Sequence, residues 1–194
     1  MGTTPSVILL PQPALRLRSV IEVAAPHHLA PAQSDDLVEM RDLAACLMDA
    51  KVAELETYLA VQQIQPAALL IHKEDGRITG VVGMLYVRMS AVNQILRGRF
   101  NAVAPNTDLL TPEGESPAAL YTWGVAASTK PAGTAILVGG SAVRQTLFPT
   151  ISSFTKAVTG AGRHVAVDRY GFRPLRNPQD DLLVREPKWA EQAA

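Results

Sequence analysis

Apolar positions along this chain switch between a spacing of two residues and one of three to four. Residues 7–10 form a strand-sized apolar run. In residues 15–24, Leu15, Leu17, Ile21 and Val23 alternate with Arg16, Arg18 and Glu22, which reads as a second extended segment. Residues 26–31, with two prolines and two histidines, read as a connection. Met40, Leu43, Leu47, Val52, Leu55 and Tyr58 then recur at helical spacing as far as Ile64, and Pro66 closes the run. Ser34 suits the cap of this helix, with Asp35 and Asp36 in its first turn; one long helix or two with a kink near Asp49 both satisfy the pattern.

The second half predicts more strands. Residues 67–72 are a mostly apolar run and 78–88 are rich in β-branched side chains, and the two flank Asp75-Gly76, a hairpin signal. A short helix is expected over 90–97, and Pro105, Pro112, Gly114 and Pro117 make 98–117 irregular. Residues 121–127 are a buried strand, 136–147 a helix ended by Phe148-Pro149, and 151–158 another strand. A helix from Thr159 to Tyr170 stops at Gly171, and 181–185 is the last strand. Gly139 and Gly140 fall inside the helix 136–147 and cost it about 1 kcal/mol each relative to Ala, so they imply either close packing or a break.

Composition narrows the class. At 194 residues and 47% apolar content the chain suits one packed domain, expected over 1–187 with a loose tail from 188 to 194. Eighteen basic and eighteen acidic residues balance, so no global charge favours nucleic acid or an anionic membrane surface. A single Cys46 excludes an internal disulfide and fits a reducing, cytoplasmic setting; no apolar run is long enough to span a membrane. Four scattered histidines and one cysteine show no metal-ligand spacing, so no metal is expected.

The most specific stretch is Lys130-Pro131-Ala132-Gly133-Thr134-Ala135 between a strand and a helix, followed downstream by Gly171-Phe172. A helix N-terminus offers unpaired N–H groups and partial positive charge to an anion, Pro131 wastes no donor in the first turn, and Gly133 lets a phosphate approach the backbone. The order resembles the acyl-CoA-binding half of the GNAT N-acetyltransferases, whose diphosphate loop reads [Gln/Arg]-x-x-Gly-x-[Gly/Ala]. The resemblance covers about residues 119–184 and is topological before that. It implies an α/β (α+β) domain with a mixed, mostly antiparallel sheet flanked by helices. It also implies acetyl-CoA or another acyl-CoA as cosubstrate, held by Val125, Ala127, Lys130, Ala132, Gly133, Thr134 and Ala135. The activity implied is direct transfer of the acyl group to an amine on a small molecule or a peptide. A catalytically weak module that only binds acyl-CoA or a protein partner is the alternative, and a homodimer is left open.

The family's proton donor is where this chain departs. Members often carry Tyr four positions before the Gly of Gly-Phe; here that residue is Val167, which has no proton to give. The remaining catalytic candidates are Tyr170, His164 and Tyr121. Tyr170, just before Gly171, is expected to be a core aromatic whose hydroxyl is dispensable, and His164 a solvated side chain. His72 reads as a sheet residue, and Glu113 and Glu115 as loop carboxylates that could meet an amine.

Overall fold

A computed structural model describes residues 13–48, 51–176, 179 and 181–187. The run at 7–10 and the tail 188–194 lie outside the described residues. The chain forms one seven-stranded sheet in the order β1-β2-β3-β4-β5-β7-β6. Its strands are β1 (Leu29–Pro31), β2 (Leu69–Glu74), β3 (Arg77–Val87), β4 (Ala119–Ala127), β5 (Ser152–Lys156), β6 (Arg173–Pro174) and β7 (Leu182–Arg185). Every pair is antiparallel except β4 with β5. The sheet is therefore mixed and mostly antiparallel, with helices on both faces.

Residues expected to be extended at 15–24 are instead helix α1 (Leu17–Ala24). The apolar spacing served both periods: Leu17, Val20 and Ala24 form a stripe that packs beside α5 (Lys130–Leu147) in one core cluster. What tips the balance is remote in sequence. Glu113 accepts a hydrogen bond from the Leu17 N–H at 3.2 Å, supplying an N-terminal partner that Arg16 does not. Glu113 is thus a helix anchor, and Glu115 pairs with Arg88 at 3.2 Å. The connection at 26–31 also contains more than expected, since β1 pairs with β2 there.

The helical run after Ser34 is two helices, α2 (Leu37–Leu47) and α3 (Leu55–Ile64). Gln33 rather than Ser34 caps the entry: it forms a reciprocal box with Asp36, whose carboxylate accepts from the Gln33 N–H at 2.9 Å. Lys73, 2.6 Å from Asp36, contributes to holding that carboxyl below its usual range. Asp75 and Gly76 both take positive φ (50° and 79°) in the β2–β3 turn, as a tight hairpin demands. The short helix expected at 90–97 is α4 (Met89–Leu96).

The core lies on both faces of the sheet. One cluster gathers α2, α3 and the irregular segment through Met40, Val61, Leu85 and Tyr121; the other packs α1 and α5 through Val20, Tyr86, Ile136 and Phe148. Buried Gln65 donates to the carbonyls of Tyr86 and Thr111 and accepts from the Tyr86 N–H, pinning the irregular segment to β3. Helix α5 is unbroken. A Cβ on Gly139 would sit 2.5 Å from Leu29 Cδ1 and 3.0 Å from His27 Cβ, so this glycine permits the close approach of α5 to β1.

Candidate functional site

The single parallel pair opens the sheet. β4 and β5 are in register from Ala119↔Ser152 to Thr122↔Thr155 and then part, although β4 continues to Ala127. Beside the parting, β4 bulges against β3: Gly83 faces Gly124 while Met84 faces Thr122, leaving Trp123 as the extra residue. From Trp123 onward, the edge of β4 turned to β5 has no strand partner, so main-chain donors and acceptors face an open space.

That space is a cleft of about 820 Å³. Gly124 to Ala127 form one wall, Ala161, Gly162, Val165, Ala166 and Tyr170 the opposite one, and Ile136, Gly140 and Arg144 of α5 a third. On the other face of the sheet, Met40, Met48, Tyr58, Phe100 and Trp123 close it with apolar surface. Aromatic pairs stiffen this side: Tyr58 and Trp123 centroids are 4.9 Å apart, and Phe100 and Tyr121 are 5.1 Å apart. The Trp123 indole donates to the Ala102 carbonyl and so ties the irregular segment over the opening.

Charge among the described lining residues has one sign. Among the described residues that line it, the charged groups are Lys51, Arg144 and Lys156, with no Asp, Glu or His. No cluster able to hold a metal ion occurs among the described residues. No described helix is long and apolar enough to cross a membrane.

The three catalytic candidates are not brought together. Tyr170 is half-buried on the cleft wall, and burial raises its phenol pKa. Tyr121 also borders the cleft but is a core residue, its phenol pushed up to about 12 by burial. His164 lies on the exposed side of α6 (Gly160–His164), 2.5 Å from Asp168, and does not reach the cleft. Val167 does not line it either.

The reason is a wider helical turn. Residues Val165–Arg169 are π-helical, and the chain closes with Gly171 N–H on the Val167 carbonyl and Phe172 N–H on that of Ala166. The extra residue in this turn changes which side chains face the sheet, turning Tyr170 to the cleft where α-helical counting expects a core position. Gly171 takes φ 66° at the stop, as its place in the sequence requires.

The expected diphosphate loop is also altered. Lys130 to Ala135 are not a loop but the first turns of α5, with Thr129 as the cap. The Ala132 N–H goes to Thr129 Oγ1 (3.2 Å), the Gly133 N–H to the Thr129 carbonyl (2.9 Å), and Pro131 has none. Ala132 is buried and packs towards Gly80 of β3, whereas Lys130 and Thr134 are exposed. Thr129 Oγ1 donates to Glu74, placing a carboxylate at the mouth of the helix. Of the expected binding residues, Val125 and Ala127 line the cleft; Lys130, Ala132, Gly133, Thr134 and Ala135 do not.

No known protein family matches the sequence, and neither does any curated protein. Solved structures do match in shape. GphF, a GNAT-like decarboxylase in complex with isobutyryl-CoA, aligns with a TM-score of 0.50 at 16% identity, over 72% of this chain and 71% of its own. Ard1 from Thermoplasma volcanium aligns with a TM-score of 0.50 at 10% identity, over 82% of this chain and 96% of its own. The chain has the GNAT fold.

Proposed function

We propose that the protein binds an acyl-CoA thioester in the cleft between β4 and β5 and transfers its acyl group to an amine. The observation that carries this is the parting of β4 from β5 beyond Thr122 and Thr155, which leaves the main chain of β4 unpaired against a cleft. A similar fold holds isobutyryl-CoA in the decarboxylase GphF. In this proposal a main-chain N–H of β4 near the bulge polarises the thioester carbonyl. The amine nitrogen attacks the carbonyl carbon, forming the C–N bond as the C–S bond breaks. Tyr170 donates its phenolic proton to the departing thiolate and regains one from water, and the acceptor's surplus proton leaves to solvent.

No carboxylate or imidazole lines the cleft among the described residues, and in this proposal the acceptor arrives as the free amine. The rate should therefore rise with pH until the acceptor's own pKa is passed. The same observation favours a second reading, in which acyl-CoA is bound without transfer.

Acetyl-CoA and a panel of small and peptide amines, assayed from pH 7 to 10, distinguish the two. Transfer predicts an N-acetyl product with kcat/KM climbing with pH. Tyr170→Phe should lose about 10² in kcat, the typical worth of a general acid, without losing acetyl-CoA affinity. Tight binding with no product from any amine supports the second reading, and no binding removes both.

A further inference from the structure

The cleft is lined by a cation that has no ion-pair partner among the described residues. Arg144, near the C-terminal end of α5, lines the cleft, and its Nη2 is fully enclosed with no hydrogen-bond partner. Its nearest charged influence is another cation, Arg185 of β7; burial first and Arg185 second lower the Arg144 pKa to about 10. Neither guanidinium has an ion pair among the described residues. Ser153 adds a third donor: it is 1% exposed and its Oγ has no partner.

Sheet register places these groups together. Ser153 is paired in register with Leu120 of β4 on one side and Arg185 of β7 on the other. Register partners share a face of the sheet, and Leu120 packs in the cluster that contains Ile136 and Val143 of α5. Ser153 and Arg185 therefore present to the α5 side; of the three, Arg144 lines the cleft. A half-buried guanidinium beside a like charge, with one enclosed nitrogen unmet, is costly unless an oxyanion joins it; the planar fork of Arg matches a carboxylate or phosphate.

We propose that Arg144, which lines the cleft and has Arg185 and Ser153 on the same side of the sheet behind it, takes a carboxylate at the far end of the acyl group, making the protein selective for carboxyacyl-CoA thioesters. This rests on the acyl-CoA reading of the cleft. Position favours the acyl end over the phosphates of CoA. Lys130 and Arg144 are 14 residues apart on α5, about 21 Å along the helix axis, so a diphosphate near the helix N-terminus leaves Arg144 for the other end of the ligand. The described lining residues include no acidic side chain, which suits an anionic occupant.

The test is calorimetric titration of the full chain with CoA, acetyl-CoA, and malonyl-, succinyl- and glutaryl-CoA, repeated for Arg144→Gln, Arg144→Lys and Ser153→Ala. At least one carboxyacyl thioester should bind about tenfold or more tighter than acetyl-CoA, as a charge-assisted contact allows. That ratio should fall to near one in Arg144→Gln and be partly restored in Arg144→Lys. Without ligand, Arg144→Gln should melt no lower than the parent, because it removes an unpaired, half-buried charge; a lower melting point would show that Arg144 is a structural residue. Equal affinity for acetyl and carboxyacyl thioesters in the parent overturns the proposal. So does an Arg144→Gln variant that loses CoA itself as strongly, which would assign the site to a phosphate. Should no CoA compound bind, the acyl-CoA reading falls by itself. The subsite is then read with succinate and inorganic phosphate: stabilisation of the parent by succinate but not of Arg144→Gln supports it, and no stabilisation by either overturns it.

Discussion

Two adjacent glycines of α5 should respond to the same substitution with opposite sign. Gly→Ala inside a helix gains about 1 kcal/mol from propensity alone. At Gly140 the new methyl would lie 3.6 and 3.8 Å from the two Val82 methyls, an ordinary contact, so the gain is kept and Gly140→Ala should stabilise by about 1 kcal/mol. At Gly139 it would lie 2.5 Å from Leu29 Cδ1, 3.0 Å from His27 Cβ and 3.2 Å from Leu29 Cγ. Leu29 is 3% exposed and held in β1 opposite His72, so it has little room to retreat. Overpacking of this kind costs about 1–3 kcal/mol. A cost near 2 less the propensity gain leaves Gly139→Ala destabilised by about 1 kcal/mol. For a chain of this size that is about 2–4 °C in melting temperature, down for Gly139→Ala and up for Gly140→Ala. Thermal and urea unfolding followed by circular dichroism would measure both. If Gly139→Ala rose together with Gly140→Ala, α5 would not press on β1 as described, and the packing argument would fail.

Other consequences follow from the helix mouth and the buried phenols. Glu74→Gln keeps an oxygen for Thr129 but removes a negative charge beside the start of α5, so CoA should bind about two- to fivefold tighter at low salt; unchanged affinity would place the diphosphate elsewhere. Gly133→Asp has room, with only Ala127 Cβ at 3.7 Å from a new Cβ, and suits a first helical turn. It should keep the melting temperature while abolishing stabilisation by CoA, and retained stabilisation would exclude this helix end from the site. Tyr121 is held neutral in the fold up to about pH 12, whereas the unfolded phenol ionises near 10. Between these values the unfolded state carries fewer protons, so stability must fall as pH rises. Tyr121→Phe should flatten that fall above pH 10, and an unaltered slope in alkaline melts would contradict it.

Much of the architecture was legible because local chemistry and global packing agree. The Asp75-Gly76 turn, the unbroken strand through Tyr121 and the Gly171 stop each depend on neighbours only a few residues away. Residues 15–24 misled because their apolar spacing satisfies both periods, and what favours the helix is remote: packing of Val20 and Ala24 beside α5 and the hydrogen bond from Leu17 to Glu113, 96 residues away. The site was harder to read. The resemblance pointed to the strand at 121–127, which does border the cleft, but three properties of the candidate site did not follow from it. The π-helical turn that presents Tyr170 replaces no residue and adds no motif. The Thr129 cap that winds Lys130 to Ala135 into helix is an ordinary Thr in an ordinary place. Arg144 lines the cleft, and Arg185, far from it in sequence, is brought to the same side of the sheet only by strand register.

The most direct test of the central claim is a crystal structure grown with acetyl-CoA. The account predicts the pantetheine arm in the opening between β4 and β5, the thioester carbonyl against the main chain of β4 between Trp123 and Ala126, and the sulfur within reach of the Tyr170 hydroxyl. A ligand bound outside this cleft, or an empty cleft at millimolar acetyl-CoA, would contradict it.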